Sequence, residues 1–225
     1  MLSLLNLFFS PFFGILMLWG AISPIENFSH RRLNSPEPHS IFHDSTGNLE
    51  FRLGNDSLYP EHLQSLVDSA LKKDGAKPPY TAQQVAGLNR ALRGKIPVDS
   101  EILFEYQRDP VTQQVEKAIP YLLERAVPFG GDFLSEAKVT MDQGEPHVLL
   151  LLNAEGKKRF AELTTKNVGK HLAIVVDGTV YLSPIIQSPI LEGKAQITFG
   201  FMDFPTLLAT CEDLVAALKR QYHLK

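Results

Sequence analysis

The sequence predicts an α+β fold, with antiparallel sheet packed against helices, from two hairpin signals and several capped helical segments. The sharper hairpin signal lies where the apolar runs Leu172–Val176 and Thr179–Ile186 flank the pair Asp177-Gly178. An Asp-Gly pair between two apolar runs is the strongest short-range indication of a β-hairpin. A third β-rich stretch, Gln196–Phe201, follows a connection interrupted by proline and glycine.

The bulk composition indicates a packed globular body. Of the 225 residues, 44% are hydrophobic and 21% are charged, and the net charge is −3. Because phosphate binding needs a concentrated basic face, this balance argues against nucleic acid as a partner. The single cysteine, Cys211, shares an apolar helical face with Leu207, Leu214 and Leu218, so we expect a buried small hydrophobe rather than a nucleophile.

The amino-terminal segment, residues 1–22, carries no charged side chain and is long enough to cross a bilayer as a helix. We expect an apolar helix that anchors the chain in a membrane, with a cleaved signal peptide as the alternative. The small-x-small site Ala21-Ile22-Ser23 favours cleavage, but Pro24 follows it. Arg31 and Arg32 favour a cytoplasmic body by the positive-inside rule, which leaves the topology open.

Residues 23–48 are predicted to be a linker, because Pro24, Pro36 and Pro38 punctuate a polar stretch. His39 and His43 stand four residues apart, a spacing that could bind a metal ion on a helix. The segment shows no helical periodicity, so we predict no metal site here. The globular domain is predicted over 49–225.

The first half of this domain is predicted to begin with one strand and two helices. The stretch Leu49–Leu53 alternates apolar and charged residues, as a half-buried strand does. Residues 60–73 predict a helix that begins near Pro60. A second helix follows Thr81, whose spacing to Gln84 resembles a capping box, and it ends near Gly94.

Two strand-like pieces, Ile102–Tyr106 and Tyr121–Leu123, flank the turn sequence Arg108-Asp109-Pro110. Beyond them, Gly130-Gly131-Asp132 predicts a tight bend, where glycine allows the positive φ that other residues resist. Glu101 and Glu105 stand four residues apart, so in a strand they would share a face as solvated charges.

The second half begins with the other hairpin signal, in which Val139–Met141 and His147–Leu152 flank a polar turn. The uninterrupted leucines at 149–152 predict a strand buried on both faces. Asn153 is the predicted N-cap of a helix over 154–168, and Asp203 is the predicted N-cap of the last helix.

No motif of covalent catalysis accompanies these elements. The sequence has no Gly-x-Ser-x-Gly elbow, phosphate-binding loop or Cys-x-x-Cys pair. His147 and His171 open strands, where an imidazole is usually a surface or hydrogen-bonded group. We therefore predict no catalytic residue, no cofactor and no metal ion, and we interpret Asp177 as a turn residue.

A binding role suits the sequence better, since a surface that holds unfolded chains needs exposed apolar area. The candidate polypeptide-binding residues lie in and around the proline-interrupted connection; they are Leu182, Ile185, Ile186, Ile190 and Leu191. The alternative is that these side chains fill the core.

Several segments resemble one family. They are Asn153-Ala154-Glu155-Gly156, Arg159–Thr164, Asn167–Lys170, Leu172–Val175 with Asp177-Gly178, and Gln196-Ile197-Thr198 with Gly200-Phe201. These sequence segments resemble the first periplasmic domain of the SecD and SecDF protein-export subunits. Leu49–Leu53 and Ile119–Leu123 are also similar to that domain, and the resemblance spans about 49–221.

The resemblance implies a head at about 100–195 and a partial ferredoxin-like base at 49–53 and 196–222. It also implies an accessory role in Sec-dependent export at the bacterial inner membrane, with the body on the periplasmic side. The implied partners are unfolded secretory polypeptide and Sec translocase subunits, with the membrane contacted through residues 1–22.

The resemblance includes no counterpart of the family's proton-conducting transmembrane bundle. We therefore expect capture of the translocating chain or docking on the translocase rather than proton-driven pulling. The alternative is a structural fragment of a split or truncated SecD that serves only as an assembly module.

Overall fold

The computed structural model describes residues 40–42, 44–71, 75–109, 112, 114–199 and 202–225. Within these ranges the chain is α+β, with nine strands, four helices and a short 3₁₀ helix at Gly131–Phe133. The strands are β1 (Leu49–Leu53), β2 (Ser100–Arg108), β3 (Val115–Glu124), β4 (Phe129–Gly130), β5 (Leu134–Asp142), β6 (Glu145–Leu152), β7 (Leu172–Val176), β8 (Thr179–Leu182) and β9 (Lys194–Ile197). The helices are α1 (Pro60–Leu71), α2 (Ala82–Ala91), α3 (Ala154–Lys166) and α4 (Phe204–Tyr222).

The strands form two sheets. The larger has the order β3-β2-β8-β7-β1-β4, and the smaller has the order β5-β6-β9. Neighbouring strands are antiparallel except β2 and β8, which are parallel and joined by the single pair Phe104–Thr179. The weakly joined β2–β8 seam is the one long-range parallel contact among the described strands.

The larger sheet curls toward closure. An isolated antiparallel bridge joins Gly54, just after β1, to Leu123 in β3. The backbone N–H of Asn55 also donates to the carbonyl oxygen of Leu122 at 2.9 Å. The curled sheet encloses a small apolar cluster formed by Leu103, Leu123, Ala173, Val175 and Val180.

The main core lies between the two sheets and α4. It joins buried side chains of β1, β5, β6, β7, α3 and α4 into one cluster, which includes Phe51, Leu150, Phe160 and Leu214. A second core lies under α1 and α2, where Val67 and Leu88 pack on Phe104 and Leu122 of the β2–β3 hairpin.

The principal hairpin prediction is confirmed, because β7 and β8 pair across Asp177-Gly178. The second strand is shorter than predicted and ends at Leu182, before Pro184. Proline has no backbone N–H to donate to a ladder, so the regular strand stops there. Of the third stretch, Gln196 and Ile197 lie in β9, which begins earlier than predicted and pairs with β6 in the smaller sheet. Thr198 and Phe199 follow the end of the strand, and Gly200 and Phe201 lie outside the described residues.

One prediction about local structure is wrong. In β6, Val148 and Leu150 are buried, but Leu149 and Leu151 are only partly buried, because α4 and the main core lie against one face of the smaller sheet. At the predicted bend, Gly130 and Gly131 do not use the positive φ that glycine allows. A Cβ on Gly131 would instead lie 2.2 Å from the Tyr222 ring, so close packing is what requires glycine there.

The predicted helix caps are confirmed. Thr81 and Gln84 form both bonds of a capping box on α2, and Asn153 and Asp203 cap α3 and α4. Cys211 is buried on α4, as predicted, and burial raises the pKa of its thiol to about 11.

The predicted membrane helix at 1–22, most of the predicted linker and the pair His39 and His43 lie outside the described residues. None of the helices in the described part of the chain combines the length and apolar character needed to span a membrane. Phe42, near the end of the predicted linker, is buried in the main core. The division into head and base stays a prediction. Strand β1, which the prediction assigns to the base, pairs along its whole length with β7, which lies in the predicted head.

Candidate functional site

A cleft of about 440 Å³ lies beside α2, at the seam where β2 meets the start of β8. Its volume falls within the range of about 300–1,000 Å³ that is typical of ligand sites. The apolar and aromatic part of its lining comprises Tyr80, Val85, Leu103, Phe104 and Tyr106. The charged part comprises Arg90, Arg93, Glu101, Arg125 and Asp177.

Asn89, a lining residue of the cleft, fixes α2 against β2. Its side-chain oxygen accepts from the backbone N–H of Ile102 at 2.7 Å, and its amide nitrogen donates to the Ile102 carbonyl oxygen at 2.9 Å. The same amide donates to the Val85 carbonyl oxygen at 3.0 Å. Asn89 is buried, so these bonds replace water that the helix–strand contact excludes.

Sequence reasoning missed this residue, although a signal was available. Asn89 lies on the apolar stripe that Val85, Leu88 and Leu92 form along α2. A polar side chain on a buried helical stripe indicates a specific hydrogen-bond partner.

Three aromatic rings line one wall of the cleft. The ring centroids of Tyr80 and Phe104 are 4.9 Å apart, and those of Phe104 and Tyr106 are 6.2 Å apart. The Tyr106 hydroxyl accepts from the backbone N–H of Tyr80 at 3.0 Å. Burial raises the pKa of Tyr106, so its hydroxyl stays neutral and the wall stays uncharged.

Glu101, which also lines the cleft, is bound by two arginines. Its carboxylate lies 2.7 Å from Nη1 of Arg52 and 3.1 Å from Nη1 of Arg125. Arg52 is buried and also donates to the Glu124 carbonyl oxygen at 2.6 and 3.0 Å. Glu105 accepts a hydrogen bond from the Tyr121 hydroxyl at 2.7 Å, and burial raises the pKa of the Glu105 carboxyl. The prediction that Glu101 and Glu105 are solvated charges is therefore wrong.

Arg90 and Arg93 are exposed at the rim of the cleft. Neither guanidinium makes a hydrogen bond or ion pair within the described ranges. Beyond Arg93 the cleft continues into a second groove of about 610 Å³, which is lined by Ile96, Pro97 and the exposed Val98.

Asp177 does more than form the predicted turn. Its φ of +49° places it in the left-handed turn conformation, and its carboxylate binds the segment before β1. It accepts from Ser45 Oγ at 2.7 Å, from the Thr46 N–H at 2.8 Å and from the Asn48 N–H at 3.0 Å, as well as from the Thr46 hydroxyl. Partial burial opposes ionisation, but these hydrogen bonds outweigh it and hold the pKa of Asp177 below its ordinary value.

The predicted polypeptide-binding residues lie outside this cleft. Ile186 is only 4% exposed and belongs to the main core, while Leu182 and Ile190 are half-buried against that core. Ile185 is 41% exposed and Leu191 is 60% exposed. The structure therefore leaves these last two side chains accessible and encloses Ile186.

The structure places His171 beside a backbone carbonyl and His147 in the interior. Nδ1 of His171 lies 2.9 Å from the Ser183 carbonyl oxygen, and His147 is buried in β6. Across the described ranges, no group of three or more histidine, cysteine or acidic side chains is arranged to hold a metal ion.

Comparison with known proteins identifies the domain type. Residues 104–211 match the family model described as the SecDF P1 head subdomain. The chain is 38% identical over 128 residues to the protein translocase subunit SecD of Calditerrivibrio nitroreducens, a match covering 56% of this chain and 24% of that protein. It is 41% identical over 113 residues to SecD of Desulfurispirillum indicum, covering 49% of this chain and 22% of that protein.

The chain thus spans about a quarter of the length of these curated relatives. A solved structure described as a membrane component SecDF that enhances protein export shares 25% identity and a TM-score of 0.44, over 76% of this chain and 61% of that one. From the family-model match and the SecD relatives, we conclude that the chain contains a P1 head-like domain of the SecD type.

Proposed function

We propose that this chain serves Sec-dependent protein export by holding a translocating, unfolded polypeptide in the cleft beside α2. The observation that supports the proposal is the combination of apolar lining and a weakly joined strand seam in one cleft. The matched relatives are protein translocase subunits, which favours a translocation role.

The chemistry of an unfolded chain suits this cleft. An extended polypeptide presents apolar side chains and unpaired backbone groups, and a binding surface must satisfy both. Val85, Leu103 and Phe104 offer apolar contacts, while the parallel strands β2 and β8 share only one residue pair. A guest segment could therefore bury side chains and hydrogen-bond with strand backbone at the same place.

We assign this chain a binding role without covalent catalysis. Both carboxylates that line the cleft are already engaged, Glu101 by two arginines and Asp177 by the segment 45–48. Neither is placed as a free general base.

For location, we propose a bacterial inner-membrane protein whose body faces the periplasm, anchored through residues 1–22. In this arrangement the head at about 100–195 meets secretory polypeptide. Ile185 and Leu191, both exposed, contact either that polypeptide or subunits of the Sec translocase.

Site-specific photo-crosslinking tests the cleft directly. A photoreactive residue replaces Ala86, an exposed lining residue of the cleft, in the full chain, which is then mixed with an unfolded secretory precursor. The matched control carries the same residue at Lys158, exposed on α3 and outside the cleft. The proposal requires an adduct from position 86 and only background from position 158; equal yields would refute it.

A second candidate function is an assembly module that docks on other export subunits. Exposed apolar side chains favour it: Val168, Ile185 and Leu191 are 49%, 41% and 60% exposed. Two hydrogen bonds hold the proline-interrupted connection beside α3 and the residues that follow it. The Gly169 N–H donates to the Ile186 carbonyl oxygen at 2.8 Å, and the Ile190 N–H donates to Thr164 Oγ1 at 2.9 Å.

Replacing Ile185 and Leu191 by serine separates the two functions. If the chain is an assembly module, the double variant loses co-purification with Sec translocase subunits. Retained co-purification together with retained crosslinking at position 86 would support the cleft and reject the assembly surface.

A further inference from the structure

We infer that the cleft selects polypeptide segments in which an aspartate or glutamate is flanked by apolar residues, with Arg90 and Arg93 binding the carboxylate. This inference rests on the proposed function, since it names the class of segment that the same cleft would hold. It adds a charge requirement to the apolar contacts that the cleft offers.

The charge balance of the lining supports this specificity. Three arginines and two carboxylates line the cleft. Arg125 is paired with Glu101 at 3.1 Å, and the same carboxylate is also held by Arg52 at 2.7 Å. The Asp177 carboxylate stays ionised, but its oxygens are occupied by the uncharged donors of the segment 45–48. Arg90 and Arg93 therefore present positive charge with which no described carboxylate forms an ion pair.

The position of the two arginines fixes what flanks the carboxylate. Both line the cleft together with Tyr80 and Phe104, and Arg93 also lines the second groove with Ile96 and Val98. An extended segment whose acidic side chain meets the arginines thus places neighbouring side chains against apolar surface on either side.

A purely structural reason explains only part of this arrangement. Cations near a helix C-terminus interact favourably with the helix dipole, and Arg90 lies in the last turn of α2. Arg93 lies beyond the C-cap residue Leu92, with its side chain exposed at the rim. Guanidinium groups bind carboxylates with two parallel hydrogen bonds, which makes a pair of arginines a suitable carboxylate receptor.

Peptide binding to the full chain tests the inference. Three fluorescent peptides of identical apolar sequence carry aspartate, asparagine or lysine at one central position, and anisotropy gives each Kd. We expect the aspartate peptide to bind about three- to tenfold more tightly than the asparagine peptide, because exposed charge pairs contribute modestly. The lysine peptide should bind most weakly, and added salt should reduce the differences.

Variants assign the preference to the arginines. In the double variant R90Q/R93Q the aspartate and asparagine peptides should bind equally, whereas K158Q, a charge change on α3, should keep the preference. Both substituted arginines are exposed, so thermal unfolding should show the double variant folded. If all three peptides compete at the cleft with equal Kd, the inference fails and the proposed function stands. If none crosslinks to position 86, the proposed function itself fails.

Discussion

One carboxylate, that of Asp177, ties the β7–β8 turn to the segment that leads into β1. Its acceptor bonds to residues 45–48 join parts of the chain that are far apart in sequence. Because the same turn lines the cleft, the Asp177 side chain connects the segment before β1 to the lining of the cleft.

The first prediction concerns this carboxylate and pH. The folded-state pKa of Asp177 is depressed, so its stabilisation is present above the unfolded value of about 3.9 and is lost as pH falls through the folded pKa. Asp177→Asn should lower the free energy of unfolding at pH 7 by about 1 kcal/mol, a modest value because the site is exposed.

Urea unfolding of both proteins between pH 7 and pH 3 measures this effect. The difference between wild type and Asp177→Asn should shrink as the pH falls below about 4. A difference that stays constant over this range would show that the charge of Asp177 contributes nothing.

The second prediction compares two helical glycines. A Cβ on Gly156 in α3 would lie 2.7 Å from the Phe133 carbonyl oxygen, whereas a Cβ on Gly87 in α2 would meet no atom closer than 3.9 Å. Gly156→Ala should cost about 1–3 kcal/mol because backbone must shift. Gly87→Ala should stabilise by about 0.5–1 kcal/mol through helix propensity. Equal effects in thermal unfolding would contradict the packing difference.

At the scale of elements, the buried Asn89 side chain adds hydrogen bonds to the apolar contacts that hold α2 on β2. Asn89→Ala would leave the N–H and C=O of Ile102 without their side-chain partners. We predict a loss of about 2–3 kcal/mol in the free energy of unfolding and faster amide exchange in α2. Gln64→Ala on α1, which removes an exposed bond to Asp68, serves as the control and should change stability by less than about 0.5 kcal/mol. Similar losses in both variants would contradict the anchoring role.

Local sequence signals predicted most of these elements. The Asp177-Gly178 pair, the Thr81–Gln84 box and the caps Asn153 and Asp203 act through neighbouring backbone, so a short window contains the information. The pairing of β2 with β8 is different, because it joins residues far apart in the chain. No local pattern specifies such a partner, so the cleft at this seam was not predicted.

The candidate site shows the same limit. The apolar residues between Leu182 and Leu191 were selected by composition, which does not distinguish a buried side chain from an exposed one. The structure buries Ile186 and exposes Leu191. Arg90 and Arg93 carry no local signal, because exposed arginines at the end of a helix are common, and only the tertiary arrangement places them beside an aromatic wall.

At the scale of the whole molecule, one core connects the two sheets. Leu214 of α4 is fully buried in the cluster that also contains Phe51 of β1 and Leu150 of β6. Leu214→Ala should therefore cost about 2–5 kcal/mol and weaken both sheets together. Val98→Ala, at a residue 93% exposed, should change stability by less than about 0.5 kcal/mol. Amide exchange that accelerates in the smaller sheet alone would contradict a shared core.

The central claim is that an unfolded secretory polypeptide occupies the cleft beside α2. Amide hydrogen exchange of the full chain, with and without such a polypeptide, tests it most directly. We predict slower exchange in α2, in β2 and in the turn 177–179, and unchanged exchange in α3. Protection confined to residues 182–191, or no protection at all, would contradict the claim.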